Sequence, residues 1–503
     1  MGRMARTSRR SVGVATFFVT GVFVGMSLLS RFGEAGPIVA PHAGAASIEP
    51  SAGPSAGPSS AAPTPGPSLP VGAPVRRSPD LIGPLRVDPP TAIRRGSAGR
   101  SSLAMTARYE AVVDLGVRSG ALHVSVTIEA RNDDPEPVDR IELNTVAPRL
   151  AAMILERVTV DGVGVAAIVD DQTIVVPLGG LLPPGESVRL RLSYSATIGD
   201  RLAGHRWLFS RAGGVVALYR WLPWVSRATP FDRDNFGDPF VTPVSPSVQV
   251  RLQTDRPVVV AATGSRLAGD DRDGTYAATD VRDFTLIIAE DYRIATVTVD
   301  GIEVRVMTRP GGLPAATLLE LVRRALPAMA ARLGPYPYPS LTVAESAGGF
   351  GMESPALVWI PRTGSRSSLD YVVPHEIGHQ WFYALVGNDQ AREPFADEAV
   401  VDMLTRDVMD LRRAPRCRTA SVDGSIYEYG RTCYFETVYV RGGRMLDEIR
   451  RALGSDVFWA AMRGYIEAHR FGLGSTGELI DALDAVTPRD IRADYAPLLP
   501  SLP

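Results

Sequence analysis

His375-Glu376-Ile377-Gly378-His379 spells H-E-x-x-H, and Glu398 follows the second histidine after eighteen intervening residues. On a helix, residues four apart lie on one face, about one turn from each other. Two imidazoles so placed can bind one Zn²⁺. The intervening glutamate faces the same side, within reach of water at the metal's open position. A third ligand must come from elsewhere, and Glu398 fits a second helix packed antiparallel to the first. The chain holds only six histidines, so a pair at this spacing carries more information than a common residue type would. The expectation is one Zn²⁺ per chain, held by His375, His379 and Glu398.

The elements that must position these residues begin near Gly301. One alternating strand, Ile302-Val304-Val306, leads into a helical stretch from Leu313 to Leu333. There Leu318, Val322, Leu326 and Met329 recur at helical spacing, and Leu319 widens the apolar face. Pro327 inside this stretch predicts a kink or a split, and Gly334-Pro335 ends it. After Leu341-Thr342-Val343 and a glycine-rich turn, the zinc helix is expected over 372–386. It should begin close to Pro374, since proline is tolerated in a first turn. Helical patterns then dominate to the C-terminus, and no internal repeat is visible.

Upstream, residues 103–300 have a period of two. Leu122, Val124, Val126 and Ile128 alternate with polar residues, as do Val188, Leu190, Leu192 and Tyr194 after the turn Pro183-Pro184-Gly185. Val248, Val250 and Leu252 repeat the theme. Short alternating runs between turn residues predict an antiparallel β domain of saddle or sandwich type. His123 falls on a polar strand face and reads as solvated. Trp221, Trp224 and Phe231 read as core or interdomain packing.

The formal net charge of the 503 residues is −2, and every one of the 53 basic residues is arginine. Nothing in that balance suggests a nucleic-acid partner. A basic N-terminus over 1–11 precedes an uncharged, mostly apolar run over 12–30, near the lower limit for spanning a bilayer. The expectation is a retained single-pass anchor at the cell membrane, with everything beyond residue 30 extracytoplasmic. The alternative is a secreted protein whose signal peptide is processed near Ala43-Gly44-Ala45. Residues 31–102 are rich in Pro, Ala, Gly and Ser and read as a disordered tether. Treated as a flexible coil of about 70 residues, it would span roughly 45 Å. In an oxidising compartment Cys417 and Cys433 are expected to form a disulfide closing a loop of about 15 residues.

Several ordered motifs resemble the zinc aminopeptidase N family of gluzincin metallopeptidases, which includes leukotriene hydrolase. Gly334-Pro335-Tyr336-Pro337-Tyr338-Pro339 is similar to the segment after the first catalytic-domain helix. Gly348-Gly349-Phe350-Gly351-Met352-Glu353 resembles the family's G-x-M-E-N exopeptidase loop. His375 to Trp381 resembles the zinc motif, Asp397-Glu398 its continuation, and Tyr439-Val440-Arg441-Gly442-Gly443 the stretch that carries the catalytic tyrosine. The resemblance runs from the β domain to about Gly454. It implies a multidomain β plus α protein, with a thermolysin-like, mainly helical zinc catalytic domain over 301–503.

It also implies roles for single residues. Glu376 is the general base that takes a proton from water and passes it to the leaving amine. Tyr439 donates a hydrogen bond to the tetrahedral oxyanion, with Tyr427, Tyr429 and Tyr434 as rival candidates. Glu353 pairs with the substrate's free α-ammonium, beside Met352, and Gly351 lets the backbone approach the substrate closely. Zinc lowers the pKa of water and polarises the scissile carbonyl.

The chain departs from the pattern at Ser354, where the family has Asn, and at Phe350 and Ala399, where Gly is usual. It ends at Pro503 without the long helical C-terminal domain of the large members, which implies a cleft more open to long peptides. The expected function is a zinc metallopeptidase, an aminopeptidase acting on peptides or proteins with a free N-terminus. The alternatives are a zinc endopeptidase on the same centre and a cell-envelope binding protein that keeps the fold without turnover.

Overall fold

The computed structural model describes residues 92–227, 240–417 and 421–502. The expected anchor over 12–30 lies outside the described residues, and the cell-membrane location built on it does not stand. Among the described residues no helix is long and apolar enough to cross a membrane. The end of the expected tether needs a second correction, because residues 92–102 are fixed on the β-rich part. Arg94 pairs with Leu181. The Asp139 carboxylate accepts from the Ser97 hydroxyl and from the N–H groups of Ala98, Gly99 and Arg100.

Alternation builds the first sheet. Met105–Leu115 buries every second side chain, as its sequence pattern requires. Eight strands line up in the order Ser265–Gly269, Asp273–Ala278, Val248–Thr254, Met105–Leu115, Ala121–Asn132, Ser187–Thr197, Ile154–Val160 and Val163–Gly164. The sheet is not wholly antiparallel as expected: Met105–Leu115 and Val248–Thr254 run parallel, with Tyr109 opposite Val248. A parallel join needs a long crossover, and the chain between these strands builds one further sheet and two strands of another before it returns.

One of these holds Trp224–Val225, Val138–Asn144, Thr173–Leu182 and Ile168–Asp170. Its Ile141, Leu143, Ile174 and Val176 join one core with Val113, Val124 and Ile128 of the first sheet. Trp221 and Trp224 are buried in that core, Trp224 stacked on Tyr109; Phe231 lies outside the described residues. His123 stays at the surface near Glu156.

A middle sheet of Val259–Ala262, Leu286–Ala289, Val215–Leu218 and Phe209–Ala212 joins this β part to the strands beside the zinc motif. Leu286–Ala289 and Val215–Leu218 are buried on both faces. Val216, Leu218, Leu286 and Ile288 belong to a large core that runs from the first two sheets into the helical part, where it takes in Leu318 and Ile377. Val215, Ala217, Ile287 and Ala289 belong to a second core with Met352, Leu357 and Trp359.

The fourth sheet is mixed, in the order Arg293–Val299, Ile302–Thr308, Ser340–Ser346, Leu357–Pro361 and Met352–Ser354. The helix Ala315–Leu333 makes the crossover between the parallel strands Ile302–Thr308 and Ser340–Ser346. It runs unbroken through Pro327, although proline in a helix interior costs about 3 kcal/mol. Seven buried side chains, among them Leu318, Val322, Leu326 and Met329, offset that cost through packing.

The helix of the H-E-x-x-H motif spans Arg366–Gly378, earlier than the expected 372–386. Ser365 caps it, its hydroxyl accepting from the Ser368 N–H. Pro374 therefore sits well inside the helix and not in its first turn. Gly378 lets the next helix, Val400–Met409, come close: a β-carbon there would lie 2.8 Å from Cγ1 of Val401. The remaining C-terminal part is helical, through Gly443–Leu453, Ser455–Ala468, Thr476–Asp484 and Ile491–Tyr495.

Candidate metal centre

His375 lies in the last turn of its helix and His379 is the residue that ends it. Glu398 lies in a π-helical turn, Phe395–Ala399, that leads into Val400–Met409. Three ligand atoms converge. Nε2 of His375 is 3.2 Å from Nε2 of His379 and 3.2 Å from Oε2 of Glu398. The third side, from His379 Nε2 to Glu398 Oε2, is 3.3 Å. Ligands at about 2.0 Å from zinc in tetrahedral geometry stand roughly 3.3 Å apart, so the triangle fits one Zn²⁺ with a fourth position open.

The charge balance fits as well. Glu353, Glu376, Asp397 and Glu398 are all buried around this triangle, and no arginine bonds any of them among the described residues. Buried carboxylates of this density call for a cation. Burial pushes the Glu353 carboxyl up to about 7, with Glu398 and Asp397 adding to it and His379 opposing. Burial also drives Glu376 well above the carboxylate range, with the Glu353 charge reinforcing it. For Glu398, burial is outweighed by the two imidazoles, chiefly His379, which hold its carboxyl low.

His379 is fixed from behind. Its Nδ1 lies 2.7 Å from Oδ1 of Asp397 and 3.0 Å from the carbonyl of Phe382. A donor bond from Nδ1 leaves the lone pair of Nε2 facing the triangle. Asp397 in turn accepts from the Gln390 amide, which also donates to Oε1 of Glu353 at 3.3 Å. One side chain thus ties the support of His379 to the expected amine-binding glutamate.

Glu353 is on the edge strand Met352–Ser354, and Gln380 sets the position of that strand. The Gln380 amide donates to the Ser354 carbonyl at 3.0 Å and accepts from the Ala356 N–H at 2.8 Å. Polar side-chain atoms of Glu353, Glu376 and His379 lie within 4.8 Å of one another. Strand alternation sends the Met352 side chain the other way, into the core with Trp207 and Trp359. Any substrate contact by Met352 is therefore left to its backbone. Gly351 also differs from expectation, because the space its missing β-carbon leaves is taken by Glu376. The departing residue Ser354 donates to the Thr285 hydroxyl at 2.8 Å, and Phe350 is half exposed against Trp207.

Tyr439 occupies a second π-helical segment, Phe435–Gly442, and its hydroxyl donates to Oε1 of Glu398. Among the four candidate tyrosines it touches the ligand set directly. The Tyr429 hydroxyl is engaged with Gly424 and Ser421 instead, and the Tyr434 ring packs edge-on to Tyr439. Ala399, where the family has Gly, is accommodated by Gly442, whose β-carbon would lie 2.8 Å from that of Ala399. Cys417 and Cys433 form a disulfide just ahead of this segment.

Three supporting residues escaped the sequence reading. Asp397 belonged to the Asp397-Glu398 motif, which marked it as the ligand's neighbour but not as the support of His379. Gln390 carried no signal, as a polar residue in a loop. Tyr371 stood one turn before His375, a spacing that places the two on one helix face.

No protein-family model matches the chain, and no curated protein does either. Solved structures do. The M1 zinc metallopeptidase of Deinococcus radiodurans aligns at 20% identity with a TM-score of 0.60, over 81% of this chain and 94% of its own. A mutant of it aligns at 18% identity with a TM-score of 0.61, over 78% and 94%. A further structure of the mutant, bound to a Tyr-Ser-Ala substrate, aligns at 20% identity with a TM-score of 0.60, over 78% and 93%. The chain has the fold of the M1 zinc metallopeptidases, a β-rich N-terminal part followed by a helical C-terminal part, as its motifs implied.

Proposed function

Given a chain with the M1 zinc metallopeptidase fold, we propose that it is a zinc-dependent peptidase that releases residues from peptide N-termini. The observation that carries the reading is the 3.2–3.3 Å triangle of His375, His379 and Glu398 with Glu376 beside it. In this reading residues 92–300 form the β domain and residues 301–503 a thermolysin-like catalytic domain. The three ligands hold one Zn²⁺, which when bound polarises the scissile carbonyl and acidifies water.

The chain's own groups do the rest. Glu376 takes the proton of the attacking water and returns it to the leaving amine. Tyr439, now bonded to Glu398, turns its hydroxyl to the developing oxyanion. Glu353 receives the substrate's α-ammonium. That nitrogen lies about 2.5 Å from the carbonyl carbon of its own residue, and Glu353 is within 4.8 Å of Glu376 and His379. An ammonium seated on Glu353 therefore brings the first peptide bond to the general base. Like the Deinococcus enzyme, described with a tripeptide substrate, this one would act on short peptides.

The test compares zinc-dependent hydrolysis of unblocked peptides with that of the same peptides acetylated at the N-terminus. Cleavage of the free forms alone is expected. Cleavage of both makes the protein an endopeptidase, with Glu353 serving structure, and stoichiometric zinc without cleavage of either makes it a binding protein.

A further inference from the structure

A histidine that ligates a metal ordinarily donates its second ring N–H to a carboxylate or carbonyl, which fixes the ring plane. His379 follows this rule through Asp397 and Phe382. His375 does not: its Nδ1 is buried without a hydrogen-bond partner among the described residues. We infer that Tyr371 is a positioning residue for the metal centre, holding the His375 imidazole by ring stacking in place of that hydrogen bond.

Tyr371 lies one turn before His375 on the same helix, its ring 5.2 Å from the imidazole and inclined by 21°. Tyr439 lies near-parallel to the same imidazole at 5.5 Å. Phe435 packs edge-on to Tyr371 at 6.3 Å and against Tyr439 at 4.8 Å, linking the two tyrosines. Offset aromatic contacts of this kind have preferred geometry and restrict ring rotation.

Stacking fixes His375 only if Tyr371 is itself fixed, and it is. Its hydroxyl donates to Oδ1 of Asp402 at 2.7 Å. Asp402 is fully buried, and Arg406 grips it through Nε at 2.6 Å and Nη2 at 2.9 Å. The Arg406 guanidinium also covers the Tyr371 ring, 5.2 Å from its centroid. Asp402 and Arg406 belong to Val400–Met409, the helix that continues directly from Glu398. One segment thus supplies the third ligand and braces the first, so the two move together. Gly443 permits the arrangement, since a β-carbon there would lie 2.8 Å from Oδ2 of Asp402.

The inference rests on the zinc reading of this site, and its test separates the two. The metal-free full-length protein is titrated with Zn²⁺ against a chromophoric chelator, as wild type, Tyr371→Leu and Tyr371→Phe. The Leu variant is expected to bind zinc about 10–100-fold more weakly, and the Phe variant, which keeps the ring but loses its bond to Asp402, to fall between the Leu variant and wild type. Equal affinity for Leu and wild type, or equal loss in Leu and Phe, overturns the role of the ring. A wild type that binds no zinc overturns the metal centre itself. Should the Leu variant not fold, the metal-free wild type provides the reading by ¹H NMR of its six histidines. The His375 ring protons, assigned by their loss in His375→Gln, must then lie upfield from ring currents, and unshifted resonances overturn the inference.

Discussion

Gly351 and Glu376 are in contact: a β-carbon at position 351 would lie 2.3 Å from the Glu376 carboxylate oxygen. The glycine marks where the chain entering the edge strand passes close to Glu376. Gly351→Ala would push either the carboxylate or the strand aside. A displacement near 1 Å at a reacting group costs about 10²-fold in rate. The variant should lose about that much in kcat on an unblocked peptide and keep its zinc, measured by metal analysis. An unchanged kcat would show that the strand yields and the contact does not govern the base.

Glu376→Gln separates metal binding from proton transfer. The three ligands stay intact, so zinc content should not change. The rate should fall by about 10²–10⁴-fold, the usual contribution of a positioned general base. A variant with near-wild-type turnover would remove Glu376 from the mechanism.

Gln390→Leu cuts the link between Asp397 and Glu353. Hydrogen bonds to charged groups contribute about 1.5–3 kcal/mol, and both carboxylates would lose a donor in a buried site. KM for peptides with a free amine should rise by roughly 10-fold or more by the same measure, with a smaller effect on kcat. Steady-state kinetics showing the reverse split would assign Gln390 to the chemistry and not to the amine site.

The disulfide ahead of Tyr439 can be tested without a substrate. Closing a loop of about 15 residues is worth roughly 3 kcal/mol in the chain-entropy model. The Cys417→Ser, Cys433→Ser double variant should melt at a lower temperature than the oxidised wild type, by differential scanning calorimetry. Equal melting temperatures would leave the bridge without a part in stability.

What could be read from the sequence was local. His375, His379 and Glu398 were legible because a metal ligand pair has a fixed helical spacing, and the first sheet because burial of one face imposes a period of two. Features decided by distant contacts were not. The helix start at Arg366 depended on a serine cap, with tertiary packing that tolerates Pro374 inside. The parallel join of Met105–Leu115 with Val248–Thr254 is a choice of partner that alternation does not encode. The π-helical turns carrying Glu398 and Tyr439 insert a residue without a sequence mark of their own. Met352 was read as part of a motif, while the pleat of a three-residue strand had already turned it inward.

The middle sheet has a thermodynamic consequence. Ile288 belongs to a core that runs from the first two sheets to Val373 and Ile377 of the zinc helix, and its neighbour Ile287 to a second core with Met352 and Trp359, so neither part can melt and leave the other's wall standing. The β-rich and zinc-carrying parts are then distinct in shape but not in folding. The chain from residue 92 onward should give a single calorimetric transition with matching calorimetric and van't Hoff enthalpies. Two resolved transitions would show that the shared sheet does not couple them. A fragment cut near residue 300 would expose an apolar surface with no partner, and so would be recovered as aggregate rather than as a working half-enzyme.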